Sequence, residues 1–245
     1  IKRNSFTVLI LNLAIDDFGF LISMALKCIE FFTYYIPAGI PWLIFMSLLW
    51  IMYINGLFLL TAISIDRCVS VLFPIWHRCS RPKHLSPAVC GLLWICSFLL
   101  TGIWNILEYA FEYDGIMSSH LLVPAVLCLP SITTSTVILF LKIGLKPKQN
   151  KRGRLLVTIL ITLLCFLILT LPLYLFVFTV NFLGISYDSI FPELDNYFFV
   201  CACLNSSVNP VIYFLVGRRK GAQSKESLKV IFQRVFNEDE SAGNL

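Results

Sequence analysis

Apolar residues along this chain do not alternate with polar ones. They gather into six long runs separated by short polar punctuation, at about 5–28, 40–72, 87–110, 121–142, 155–183 and 191–216. A transmembrane helix needs about 20 mostly apolar residues, whereas a membrane barrel strand is a run of roughly ten alternating ones, so the pattern predicts helices. Two runs exceed one bilayer thickness, which tilt or a protruding end accommodates. The expectation is an all-α membrane protein, with residues 1–217 forming the bundle and 218–245 a polar tail.

Composition agrees with this reading. The 245 residues are 58% hydrophobic and 13% charged with a mean hydropathy of +0.83, against roughly 45–50% apolar and about 25% charged in soluble domains. A single soluble core does not hide that excess.

Charge gives the bundle a direction. All of the 19 basic residues except Lys27 fall at 2–3, 67–83, 142–154 and 218–234, on alternate connections and the tail. By the positive-inside rule this face is cytoplasmic, which puts the C-terminus in the cytoplasm. Glu30, Glu108, Glu112, Asp114, Asp188, Glu193 and Asp195 lie toward the opposite side and make its mouth acidic. The formal charge of +5 therefore follows from topology and does not call for a nucleic-acid partner.

The nine cysteines form no outer pair. Cys68, Cys79, Cys90, Cys96, Cys128, Cys165, Cys201 and Cys203 lie within runs or near the basic side, and Cys28 alone approaches the outer rim, so no structural disulfide is expected there. His77, His84 and His120 lack ligand spacing with Cys or acidic residues, so neither a metal site nor a cofactor is expected. No nucleophile, base and orienting group recur at usable spacing, which argues against an enzyme.

Ionisable groups inside a bilayer are costly, by about 2.5–3.5 kcal/mol on insertion scales, and mark function by default. The first run carries Asp16 and Asp17 in "LNLAIDDFGF". The last carries Asn205, Ser206, Ser207 and Asn209, ahead of Pro210 and Tyr213. Asn205 and Asn209 are four apart and share a helix face. A carboxylate and two amides facing one another can hold waters or a cation that rearrange when helices shift. Asp66 and Arg67 stand at the end of the second run, just before a basic cluster. Pro130, Pro172 and Pro210 interrupt later runs and read either as hinges or as static kinks.

The chain opens on Ile1 with a basic flank and no signal peptide. Six spans between basic ends place both termini in the cytoplasm and leave room for a seventh helix upstream. After the last span, "SKESLKVIFQRVF" (224–236) gathers Leu228, Ile231, Phe232, Val235 and Phe236 on one face, as a helix lying on membrane lipid would.

Together these residues resemble the rhodopsin-like (class A) G protein-coupled receptors. The resemblance rests on "LAIDD" in the first span, "DRC" ending the second, Trp94 in the third, Pro130 in the fourth, Pro172 in the fifth and "NPVIY" (209–213) in the last. "LTAISIDRCVSVLFPIWHRC", "RPKHLSPAVCGLLW", "NSSVNPVIYFLVG" and "KESLKVIFQRVF" are similar to the Mas-related subfamily. The resemblance implies a seven-transmembrane bundle whose first helix is missing from this chain, with 224–236 as the short interfacial eighth helix. It implies a plasma-membrane, multi-pass location, with a heterotrimeric G protein and arrestin among the partners.

The resemblance further implies that Asp66 restrains Arg67 at the cytoplasmic end of the family's third helix, and that the freed Arg67 helps to receive a G protein. Asp17 then matches the conserved acid of the family's second helix, and Asn209, Pro210 and Tyr213 match the switch of its seventh. Pro130, Leu57 and Phe166 match the packed trio that couples ligand to the sixth helix, where Pro172 sits. Several positions depart from the pattern. Thr170 stands where relatives carry a Trp toggle, Gly56 where a Ser often lines the sodium pocket, and Ile138 where many have Tyr. Lys151 and Arg152 replace an acid at the start of the sixth helix, and Trp42 sits where the common outer disulfide would begin. Leu49 occupies the position at which amine receptors carry Asp.

On the ligand side, Mas-related receptors often use a carboxylate in the outer part of the fourth helix for cationic ligands. The corresponding position here is Trp104, and the nearest acid is Glu108, one turn farther out. The expected ligand is a cationic peptide or small amine drawn by Glu108, with Glu112, Glu30 and Asp188 adding to the field. Trp104, Tyr109, Tyr53 and Tyr174 offer cation-π contact. Two other readings fit the span count: a truncated receptor relic that does not signal, and a six-span channel. The channel lacks Arg or Lys at every third position of a span and lacks a re-entrant pore segment.

Overall fold

The computed structural model describes residues 5–33, 40–79, 82, 84–111, 116–145, 152–183 and 194–217. They form α1 (Ser5–Thr33), α2 (Ile40–Leu72), α3 (Pro74–Cys79), α4 (Leu85–Phe111), α5 (Ile116–Leu145), α6 (Arg152–Leu183) and α7 (Leu194–Gly217). No strand occurs among the described residues. The tail helix expected at 224–236 lies outside them.

Each of the six apolar runs is a helix, because a chain in hydrocarbon must satisfy every backbone group within its own segment. The six long helices span from 24 residues in α7 to 33 in α2, or about 36–50 Å at 1.5 Å per residue, enough to cross a hydrocarbon core of about 30 Å. Several run past the predicted ends. α1 continues to Thr33 rather than 28, and α5 begins at Ile116 rather than 121. Hydropathy marks where the chain leaves lipid, and helical hydrogen bonding continues beyond that point.

The short α3 was not foreseen from the sequence. Phe73 N–H closes the end of α2 on the Val69 carbonyl at 2.8 Å. Pro74 has no N–H to extend that ladder, yet its fixed φ suits the first position of a new helix. By length and composition, four stretches among the described residues are fit to cross a membrane: Val8–Glu30, Pro41–Leu72, Leu85–Leu107 and Val123–Lys142. α6 carries a shorter apolar stretch, Ile159–Pro172.

α2 is the central post. It packs against α1, α3, α4, α5 and α6, and around it α5 packs with α6, α6 with α7, α7 with α1, α1 with α4 and, more lightly, α4 with α5. Leu49, Ile54, Leu59 and Ile63 of α2 are fully buried beside Leu13, Ile132, Leu139, Leu163 and Phe166. The outward faces carry Phe18, Ile106, Phe140 and Ile168, the last 72% exposed. Such a surface would aggregate in water and suits lipid.

Pro124 and Pro130 in α5, Pro172 in α6 and Pro210 in α7 all lie inside continuous helices. Pro124 had not been singled out. Nearby hydroxyls turn onto their own helix backbone: Thr133 donates to the Leu129 carbonyl at 2.8 Å, and Thr170 to that of Phe166 at 2.6 Å.

Packing around α2 sets the stability of the bundle. Leu59→Ala should destabilise the detergent-purified protein by about 2–5 kcal/mol in thermal unfolding, whereas Ile168→Ala on the lipid face should shift it little.

Candidate functional site

Consecutive helical residues diverge by about 100°, so Asp16 and Asp17 of α1 reach different neighbours. Asp17 Oδ2 accepts a hydrogen bond from Asn209 Nδ2 of α7 at 2.9 Å. Asp16 Oδ1 accepts one from Asn55 Nδ2 of α2 at 3.0 Å. The two carboxylates are 2% and 5% exposed. Between these helices lies a cavity of about 20 Å³ lined by Asp16, Asp17, Gly56, Asn205 and Ser206, enough for about one water. The amide oxygens of Asn55, Asn205 and Asn209 are buried with no hydrogen-bond partner in the protein.

The expected meeting of a carboxylate with two amides is therefore present in part. Asp17 meets Asn209, and Asn205 lines the same cavity. The partnership of Asp16 with Asn55 was missed. Its signal was in the sequence, since Asn55 stands in an almost wholly apolar helix where an amide needs a partner. Gly56 matters for the same reason: a Cβ there would lie 2.7 Å from Asp16 Oδ2, so a bare backbone leaves room for the carboxylate.

Phe20 and Tyr53, which also line the cavity, begin an aromatic layer on the side away from Arg67. Tyr53 packs at 5.9 Å from Phe20 and edge-on at 6.2 Å from Trp50, and Trp50 lies 6.3 Å from Phe199 of α7. The hydroxyls of Tyr53 and Tyr174 hydrogen-bond, linking α2 to α6. Lys27 Nζ sits 3.5 Å above the Phe199 ring centroid, a cation-π contact. Thr170 is buried and spends its hydroxyl on its own helix.

At the other end of α2, Arg67 is 5% exposed, and its Nε lies 3.9 Å from Asp66 Oδ2. Cys68 Sγ donates to the Ser135 carbonyl of α5 at 3.5 Å, seating this turn against its neighbour. Leu57 and Phe166 belong to the buried core, whereas Pro130, Pro172 and Pro210 lie on exposed sides of their helices.

The residues expected on the ligand side are only partly described. Trp104 and Glu30 are half-buried on α4 and α1, and Asn105 Nδ2 donates to Ser47 Oγ at 2.8 Å, tying α4 to α2. The backbones of Glu108 and Tyr109 belong to α4, and that of Tyr213 to α7. Their side chains, and Glu112 and Asp188 altogether, lie outside the described residues. All nine cysteines are described, and each is unpaired. No cluster of metal-ligating side chains occurs among the described residues.

Residues 2–143 match the family described as 7 transmembrane receptor (rhodopsin family). The protein named Proto-oncogene Mas of Mus musculus is 36% identical over 97% of this chain and 76% of its own length. Mas-related G-protein coupled receptor member X1 of Homo sapiens is 35% identical over all of this chain and 78% of its own. Member D of Macaca fascicularis is 35% identical over 97% and 77%.

The Asp17–Asn209 bond makes a direct prediction. Asn209→Leu leaves a buried carboxylate without its amide, and should cost about 1.5–3 kcal/mol of thermal stability. The double variant with Asp17→Leu should recover part of that loss.

Proposed function

The chain belongs to the rhodopsin family of seven-transmembrane receptors, and within it to the Mas-related G protein-coupled receptors, and from that premise we propose how its residues perform the work. An extracellular ligand that prefers one arrangement of the bundle shifts the population toward it, and a cleft opens around Arg67 for a heterotrimeric G protein. The buried pairing of Arg67 with Asp66 is the observation that carries this reading. A guanidinium held at 5% exposure beside a carboxylate 3.9 Å away is a charge restrained at the end of α2. Arg suits the task because its planar fork stays charged and bonds carbonyls or carboxylates equally well.

On this reading α1, α2, α4, α5, α6 and α7 take the places of the family's second to seventh helices. The basic connections face the cytoplasm, the C-terminus lies there, and 224–236 forms the eighth helix on the inner leaflet. The receptor resides in the plasma membrane, and arrestin shares the G protein's cleft. Asp17, Asn209, Pro210 and Tyr213 form the switch, and Leu57, Phe166, Pro130 and Pro172 transmit ligand binding to α6.

The ligand is a cationic peptide or amine. The acids Glu108, Glu112, Glu30 and Asp188 supply an attracting field, and Trp104, Tyr109 and Tyr174 supply aromatic faces. Support comes from the charge asymmetry of the sequence and from the aromatic layer around Tyr53 and Tyr174. With its hydroxyl taken by Tyr53, Tyr174 forms the floor of such a pocket.

Two measurements test this reading. Arg67→Ala should leave surface expression near normal and abolish second-messenger output; retained output refutes the role. Glu108→Gln should weaken cationic agonists by roughly tenfold or more while sparing neutral ones. Equal losses for both would remove Glu108 from the ligand site.

A further inference from the structure

We propose that Asp16 is a second positioning residue of the activation switch, restraining α2 through Asn55 as Asp17 restrains α7 through Asn209. The inference rests on the reading of Arg67 and Asn209 given above and adds a residue which that reading does not use.

Three observations carry it. First, Asp16 is buried as deeply as Asp17, and its Oδ1 accepts from Asn55 Nδ2 at 3.0 Å. An acid buried amid lipid needs such a partner. Second, Asn55 is fully buried, and its amide oxygen has no hydrogen-bond partner. The bond to Asp16 is thus the polar contact that fixes the side chain, and breaking it frees Asn55. Third, position 56 carries no side chain, and a Cβ there would meet Asp16 Oδ2 at 2.7 Å. Gly56 yields the space and Asp16 fills it.

The consequence runs along α2. Asn55 and Arg67 stand on one helix about 18 Å apart at 1.5 Å per residue. A restraint on α2 at Asn55 therefore limits how that helix turns at its Arg67 end. Both carboxylates line one cavity, so α2 and α7 are held from a single turn of α1. The Asp16–Asn55 bond stabilises the arrangement in which Arg67 remains against Asp66, and losing it favours the signalling arrangement.

The test needs no ligand. Ligand-independent second-messenger output is measured in cells expressing the full-length receptor and normalised to surface expression. Asp16→Ala, Asn55→Ala and Gly56→Ala should each raise it by roughly tenfold, as loss of one buried hydrogen bond held only in the resting state would. Gly56→Ala added to Asp16→Ala should give no further rise, because both remove the same bond. The exchange of Asp16→Asn with Asn55→Asp rebuilds the pair with donor and acceptor reversed and should return output to the parental level.

Unchanged output in Asp16→Ala, additive effects of Gly56→Ala and Asp16→Ala, or an exchange that stays elevated would each overturn the proposal. If the single variants fail to reach the surface, the exchange decides alone: parental expression and output support the pair, and failure to express overturns it. Failure of the underlying reading looks different. In that case Arg67→Ala leaves output intact in every background, whereas an error confined to Asp16 leaves the loss caused by Arg67→Ala in place.

Discussion

A carboxylate buried in hydrocarbon must be matched by a donor that stays with it, and this requirement organises the bundle. Asp17 is matched by Asn209 and Asp16 by Asn55. Because the two acids are neighbours on α1, one helical turn ties together the central post and the last helix. The cavity beside them is lined by Asp16 and Asp17 of α1, Asn205 and Ser206 of α7 and the bare backbone of Gly56 in α2, together with apolar neighbours such as Leu57. The buried amide oxygens of Asn55, Asn205 and Asn209 are places where the polar network can be redrawn without exposing a charge to lipid.

α2 links this node to both ends of the molecule. Toward one end it carries Tyr53 and Trp50, packed among aromatic rings from α1 and α7 and hydrogen-bonded to Tyr174 of α6. Toward the other it carries Asp66, Arg67 and Cys68, the last anchored to the backbone of α5. A disturbance of the aromatic layer reaches the helix that presents Arg67 with no intervening loop. The Tyr53–Tyr174 bridge also gives a physical setting for Thr170. Thr170 is a small hydroxyl satisfied within its own helix, and the two tyrosines supply a polar contact between α2 and α6.

Most of the architecture was legible in the sequence because lipid leaves few choices for a long apolar run. The range read for α2 coincides with the helix, Ile40–Leu72. Helix ends were less legible, as α1 and α5 show, since hydrogen bonding outlasts hydrophobicity. The α3 turn escaped because it is short and half polar. The cost of a charge in lipid pointed to Asp16, Asp17 and Arg67, and "NPVIY" pointed to Asn209. Pairwise geometry was not readable. That Asp16 joins Asn55, that Gly56 clears its path, and that Tyr53 reaches a residue 121 positions away depend on how helices rotate against one another, which periodicity alone leaves open.

Many hydroxyls in this protein spend their hydrogen bonds on the preceding turn of their own helix, among them Ser23, Thr61, Ser97, Thr136 and Ser207. Turned inward in this way, they leave long stretches of the seams between helices to smooth alkyl surfaces. Across such seams the helices are joined by packing and by polar rivets such as Asn105 on Ser47 and Asn209 on Asp17. The polar part of that joining is therefore concentrated at a few points, and exchanging those few contacts changes which helices are riveted together.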